Sequence, residues 1–141
     1  MKPITAILIS LLVITAFPIS YTNADGSSTE SNKNVIIVYY FHREFRCPSC
    51  TTLERVTRES VKSAFDKELK SGRVKLMSVD IDKKENKHFF NDYSLEFQSV
   101  VISDVRDGKE KQWKNLDQVW KLLKEEWDLR EYIQKEIRLY M

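Results

Sequence analysis

Residues 35–50 read VIIVYYFHREFRCPSC and place a cysteine pair shortly after an uninterrupted apolar run. The run, residues 35–41, is β-branched and aromatic, which is typical of a strand covered on both faces in a parallel sheet. Cys47 and Cys50 follow, with Pro48 at the predicted first position of a helix. A CxxC motif between a buried strand and a helix is far more specific than CxxC alone. This segment therefore indicates the fold class and contains the candidate site.

The predicted position of Cys47 favours a reactive thiolate. Cys47 falls at a helix N-terminus, where unpaired backbone amides and the helix dipole can lower a thiol pKa from about 8.5 to roughly 3.5–7.5. Arg46 and Arg43 add positive charge that acts in the same direction, whereas Glu44 would oppose them if it lay close. Cys50 lies about one helical turn further, within reach of a mixed disulfide on Cys47. We therefore predict Cys47 as the exposed nucleophile and Cys50 as the more buried resolving thiol.

Other uses of the pair stay open. A structural disulfide is a weak alternative because a bridge over two intervening residues closes a small loop and constrains the unfolded chain little. A closed zinc site would need two more ligands, and His42 and His88 are the only histidines. A soft ion such as Cu(I) suits two thiolates, so a metal-binding module or metallochaperone is the main alternative function. A third is a non-catalytic adaptor that keeps only the fold. No bound metal or organic cofactor is predicted for the leading function.

Residues 1–24 have the layout of a signal peptide. A single lysine precedes the apolar residues 4–17, and a polar segment with small residues ends at Ala24, after which cleavage is predicted. The apolar run is shorter than the roughly 20 residues of a membrane span, although an uncleaved anchor stays an alternative. Residues 25–33, DGSSTESNK, predict a flexible linker to a domain over residues 34–141. We expect a periplasmic or otherwise extracytoplasmic protein, where a close cysteine pair tends to oxidise.

Length and composition indicate one globular domain. The 141 residues suit a single hydrophobic core, and the shares of apolar (42%) and charged (31%) residues are those of a folded chain. The formal charge of +2 is small and lysines and glutamates are interspersed, so nothing favours nucleic acid or an anionic membrane surface as a partner. We expect a monomer without a membrane span after cleavage. Its expected partners are protein or small-molecule disulfides or thiols.

Hydrophobic periodicity after the pair predicts a helix, a strand and a short helix. Apolar residues recur at spacings near three and four from Leu53 to Leu69, and Gly72 provides a helix end. Residues 73–82 then predict a strand, and residues 85–93 a short helix. Two strands joined by a helix form a βαβ unit, in which the strands pair in parallel.

The following segment predicts a β-hairpin. Residues 99–105 and 110–113 have strand character and flank the dipeptide Asp107-Gly108, a strong turn signal. With a helix at the C-terminus, the order becomes β-α-β-α-β-β-α. Layer rules then predict an α/β fold in which a four-stranded mixed sheet has helices on both faces.

The C-terminal part is predicted to be helical. Asn115 or Asp117 can cap its start, and a change in the phase of the apolar pattern predicts a bend or break near Asp128. Tryptophans recur at intervals of seven, which indicates core or interface packing of one helix face rather than a ligand site. These tryptophans are Trp113, Trp120 and Trp127.

The domain over residues 34–141 resembles the thioredoxin-like superfamily in the segments VIIVYYF, CPSC and YSLEFQSVVISDVRDGKE. More narrowly, YYFHREFRCPSC followed by DGKEKQWKNLDQVW is similar to small exported thioredoxin-like proteins sometimes labelled nitrophenyl compound nitroreductase subunits. The resemblance implies a thioredoxin-like fold and thiol–disulfide oxidoreductase activity at Cys47 and Cys50. No glycine-rich flavin or nicotinamide fingerprint accompanies it, and the chain has three glycines.

Several positions depart from the thioredoxin pattern. Ser99 stands where thioredoxins carry a cis-proline, and because a non-proline cis bond costs about 2.5–4 kcal/mol we expect a trans peptide. Phe41 replaces the buried acid that assists proton transfer, and Arg46 replaces the aromatic residue before the first cysteine. The dipeptide Pro48-Ser49 is closer to glutaredoxin usage. The departures argue against thioredoxin-like peptide docking and leave the pair open to metal ions.

The aromatic residues that flank the cysteine pair are predicted to shape its approach surface. These residues are Tyr39, Tyr40 and Phe45.

Overall fold

The structure, a computed structural model, describes residues 34–141. The predicted signal peptide and linker, residues 1–33, lie outside the described residues. The elements in chain order are β1 (Val35–His42), α1 (Pro48–Ala64), α2 (Asp66–Ser71), β2 (Val74–Asp80), a 3-10 turn (Lys84–Asn86), α3 (Phe89–Asp92), β3 (Ser99–Arg106), β4 (Lys109–Asn115), α4 (Val119–Leu122) and α5 (Glu126–Arg138).

The four strands form one mixed sheet in the order β2-β1-β3-β4. The strand β1 runs parallel to β2, with Ile36 opposite Val74, and antiparallel to β3. The hairpin of β3 and β4 turns at Asp107 and Gly108, whose φ angles of 51° and 72° are those of a type I′ turn. The parallel pair, the hairpin and the helices between them confirm the predicted thioredoxin-like fold.

Apolar clusters cover both faces of the sheet. Alternate residues of β1, such as Val38, pack against Leu53 of α1 and Ile133 of α5 on one face. On the other face, Phe41 packs with Tyr93, which directly follows α3. The continuous apolar sequence of β1 therefore reflects its central position, and helices lie on both faces as predicted. Within residues 34–141, no helix is long and apolar enough to cross a membrane.

The helix after the cysteine pair is divided at Phe65. The α1 helix ends at Ala64, and Phe65, with φ −130°, turns its side chain into the core, where it is 3% exposed. The chain then resumes as α2, which ends before Gly72 at φ 77°. The predicted end at Gly72 is therefore correct, but the uninterrupted helix is not, because burial of Phe65 overrides the helical pattern.

The start of the C-terminal helical region differs from the prediction. Asn115 is the last residue of β4, and the N–H of Leu116 donates to the carbonyl of Val100 at 2.8 Å, so sheet pairing occupies the expected cap. Neither predicted cap is used: α4 follows Gln118, which makes no side-chain cap bond. The predicted break is present: it lies between α4 and α5, at residues 123–125, shortly before Asp128.

The tryptophans do not share one helix face. Trp113 belongs to β4 and contacts Tyr93 edge-on, with ring centroids 5.4 Å apart. In α4, the indole N–H of Trp120 donates to the carbonyl of Gln98 at 2.8 Å. Trp127 is 70% exposed in α5. The interval of seven therefore falls across three elements, and the predicted common packing face is wrong.

Candidate functional site

The cysteine pair lies where β1 leads into α1. Cys47 and Cys50 form a disulfide with a Cα–Cα distance of 5.0 Å. Cys47 is the N-cap of α1, in extended backbone conformation, and Pro48 is the first helical residue. The backbone N–H of Cys50 donates to the Sγ of Cys47 at 3.1 Å. One amide at the helix N-terminus is therefore directed at the sulfur for which a thiolate is predicted.

The two cysteines differ in exposure. Cys50 is 3% exposed, whereas Cys47 is partly exposed beside the exposed residues Pro48 and Ser49. A partner can approach the sulfur of Cys47 more readily than that of Cys50. This difference supports the predicted division into nucleophile and resolving thiol, which stays a prediction.

Tyr40 connects the sheet to the cysteine pair. Its side chain is buried under α1, and its hydroxyl donates to the carbonyl oxygen of Cys50 at 2.7 Å. Burial raises the pKa of Tyr40, and the nearby Arg46 partly offsets this effect. Phe45 is 82% exposed just before the pair, whereas Tyr39 packs on Phe41 on the opposite face of the sheet. Of the three aromatic residues predicted to shape the approach surface, Phe45 is exposed near the pair, Tyr40 is buried and contacts Cys50 from beneath, and Tyr39 lies on the opposite face of the sheet.

A charged cluster that the sequence analysis missed includes Arg46, the residue before Cys47 in the chain. The guanidinium of Arg46 pairs with Oε2 of Glu54, whose Oε1 accepts from Arg58 at 3.1 Å and from the hydroxyl of Ser78 at 3.2 Å. The Arg46 guanidinium also lies over the Tyr40 ring, 5.6 Å from its centroid. The side chain of Glu54 is only 19% exposed. Its spacing of four residues from Cys50 on α1 was the one signal available in the sequence.

The carboxylate that opposes the positive charge of Arg46 belongs to Glu54, not to Glu44, which was considered for this role from the sequence. The backbone N–H of Glu44 donates to the carboxylate of Asp82 at 3.0 Å, and its own side chain is exposed. The carboxylate that pairs with Arg46 comes instead from the second turn of α1. The charge of Arg46 is therefore paired with Glu54 and not with Glu44.

The departures from the thioredoxin pattern have clear local structures. No peptide bond within residues 34–141 is cis, so Ser99 follows a trans peptide as expected, and its hydroxyl donates to the carbonyl of Phe97 at 2.9 Å. Phe41 is fully buried among aromatic rings, 5.1 Å from that of Phe89 between centroids. The position of the thioredoxin acid is therefore an apolar one, which cannot hold a proton for the pair.

The histidines do not complete a zinc site around the pair. His42 Nδ1 lies 2.9 Å from the carbonyl oxygen of Arg43, and His88 Nδ1 lies 2.6 Å from a carboxylate oxygen of Asp92. No group of three or more histidine, cysteine, aspartate or glutamate side chains that could hold a metal occurs in the described part of the chain. A two-thiolate site for Cu(I) needs no such group.

No protein-family model matches the chain, and no curated protein matches it either. Among solved structures it is similar to Fasciola hepatica thioredoxin at 24% identity and a TM-score of 0.42, over 74% of this chain and 83% of that chain. Thioredoxin from Trypanosoma brucei brucei gives 20% identity and a TM-score of 0.43, over 76% and 79%. Thioredoxin O2 of Arabidopsis thaliana in the oxidized state gives 20% and 0.38, over 68% and 76%. Because these TM-scores are low, the fold assignment rests on strand order and pairing.

Proposed function

We propose that this protein is an extracytoplasmic thiol–disulfide oxidoreductase, or redox partner, that works through Cys47 and Cys50. The observation that carries the proposal is the N-cap geometry, in which the N–H of Cys50 donates to the Sγ of Cys47 at the start of α1. In the reduced protein, the same amide and the helix N-terminus favour a thiolate on Cys47. Cys50, buried beneath it, keeps the second thiol away from outside partners.

The exchange proceeds in two balanced steps. In the reducing direction, the Cys47 thiolate attacks one sulfur of a substrate disulfide, forms a mixed disulfide and releases the other sulfur as a thiolate. Cys50 then loses its proton to water, and its thiolate attacks the Cys47 sulfur. The intramolecular disulfide forms and the second substrate sulfur leaves as a thiolate. Two electrons pass from the cysteine pair to the substrate, and the reverse sequence oxidises a dithiol.

The proposed substrates are protein or small-molecule disulfides and thiols. The exchange uses only the two cysteines, so it requires no flavin or nicotinamide. The similarity to exported proteins labelled nitrophenyl compound nitroreductase subunits supports export, and we propose no nitro-group reduction. The extracytoplasmic location is supported by the signal-peptide layout of residues 1–24.

Trapping of mixed disulfides tests the proposal. A C50S variant can form a mixed disulfide on Cys47 but cannot resolve it, so we expect it to accumulate covalent adducts that a reductant releases. The matched control is C47S, which retains only the buried thiol and should trap far less. Equal trapping by the two variants, or none by C50S, would contradict the proposal. Stoichiometric Cu(I) binding by both thiols, together with no reduction of insulin, would favour the metal-binding alternative instead.

A further inference from the structure

We infer that Glu54 sets the reduction potential of the Cys47–Cys50 disulfide by neutralising Arg46, the cation next to Cys47 in the chain. The inference deepens the proposed function and rests on it, because a redox potential matters only if the pair cycles. Glu54 acts by offsetting the charge of Arg46 and is not a residue that touches the reacting sulfurs.

The Arg46 guanidinium contacts Tyr40 as well as Glu54. It lies over the ring of Tyr40, and the hydroxyl of Tyr40 in turn donates to the carbonyl oxygen of Cys50. The Nε atom of Arg46 is buried without a hydrogen-bond partner. Arg46 therefore has a contact with the sheet, through the Tyr40 ring, that does not depend on Glu54.

The charge of Glu54 is poorly screened by solvent. The exposed fractions of the Arg46 and Glu54 side chains are 29% and 19%, compared with 48% and 43% for the Arg55–Glu59 pair further along α1. Interactions between charges strengthen as solvent is excluded, so Glu54 has more influence on its surroundings than an exposed carboxylate has. Glu54 also accepts from Arg58 and Ser78, which fix its position between α1 and β2.

The sign of the effect follows from the charge of the reduced state. Reduction creates a thiolate on Cys47, and a positive neighbour stabilises that thiolate and with it the reduced form. Arg46 alone would therefore make the disulfide more oxidising. Glu54 cancels much of this effect and keeps the pair more reducing than the cation and the helix N-terminus would make it.

An E54Q variant equilibrated with reduced and oxidised glutathione tests the inference. We expect the equilibrium to shift roughly three- to tenfold toward the dithiol, tenfold being about 30 mV for a two-electron couple. Alkylation of Cys47 should also reach its half-maximal rate at lower pH, a readout that a purely structural role of Glu54 would not change. Thermal unfolding of the oxidised variant shows whether its fold is retained.

The matched control is E59Q. Glu59 also lies on α1 and also accepts from two arginines, Arg55 and Arg130, but it is further along the helix from Cys47. Its substitution changes the net charge equally and should leave the equilibrium unchanged.

An R46Q variant should shift the equilibrium toward the disulfide, and it provides the test if E54Q does not fold. In an R46Q background, E54Q should still shift the equilibrium toward the dithiol, because the charge of Glu54 then acts on the thiolate without a counterion.

An equilibrium for E54Q that equals that of E59Q, or that moves toward the disulfide, would overturn the inference. Glutathione equilibration needs no physiological partner, so the two proposals can fail separately. If C50S traps no partner, the proposed function fails whatever E54Q does. If C50S traps partners and E54Q behaves as E59Q, only the role of Glu54 is wrong.

Discussion

The hydroxyl of Tyr40 donates a hydrogen bond to the carbonyl oxygen of Cys50 at 2.7 Å and so joins β1 to the first turn of α1. Tyr40 is 2% exposed, and its partner atom belongs to the buried cysteine of the pair. The sheet therefore supports the disulfide through one side chain, and the ring of that side chain also supports Arg46. Changes at Tyr40 should affect both the stability of the fold and the chemistry of the pair.

A Y40F variant is expected to lower the free energy of unfolding by about 1 kcal/mol, because it removes a buried hydrogen bond while keeping the ring. Denaturation in urea measures the change. The control is Y132F, which removes an exposed hydrogen bond of 3.2 Å to Asp117 and should cost less than about 0.5 kcal/mol. Equal losses in the two variants would show that the contact with Cys50 has no special weight.

In the reduced protein, Cys47 is expected to react with iodoacetamide at least roughly tenfold faster than Cys50, because it combines exposure with the helix N-terminus. Mass spectrometry of peptides after brief alkylation distinguishes the two sites. In urea the difference should vanish, since unfolding removes both the helix and the burial of Cys50. Faster modification of Cys50 in the folded protein would reverse the assigned roles.

Tyr93 is expected to make the fold sensitive to alkali. Burial raises the pKa of Tyr93 above its ordinary value of 10.0. The hydrogen bond that its hydroxyl donates to the Glu110 carboxylate at 2.8 Å raises this pKa further. Because the folded protein holds this proton more tightly than the unfolded chain, the stabilising effect is complete below pH 10 and is lost as pH rises toward the raised value. Unfolding free energies of wild type and Y93F at pH 8 and pH 11 test this. The loss between these pH values should be smaller in Y93F, and an equal loss would contradict the prediction.

Export is expected to remove residues 1–24. The mature protein recovered from an extracytoplasmic fraction should begin at Asp25, because cleavage is predicted after Ala24. Intact mass and N-terminal sequencing measure this directly. An A24R substitution should impair cleavage, since small residues are required at the cleavage site. Recovery of the wild-type chain at its full length in the membrane fraction would support the uncleaved anchor.

The fold and the position of the cysteine pair could be predicted because their signals are local. The apolar run of β1, the CxxC motif and the turn at Asp107 and Gly108 each lie within a few neighbouring residues. The failures occurred where tertiary contacts override such patterns. Burial of Phe65 divides the first helical region, and the bond from Leu116 to Val100 occupies the expected cap of the last one.

That Cys47 and Cys50 follow a buried strand and begin a helix is evident from the chain alone, because strand burial and helix initiation depend on residue types along a short stretch. The surroundings of the pair, in contrast, depend on how distant segments fold together. The tertiary structure directs Tyr40 at Cys50 and Tyr39 away from it, and it makes Glu54 rather than Glu44 the partner of Arg46. The physical reason is that a charge or a hydroxyl acts over a few ångströms, and folding sets those distances, not chain spacing.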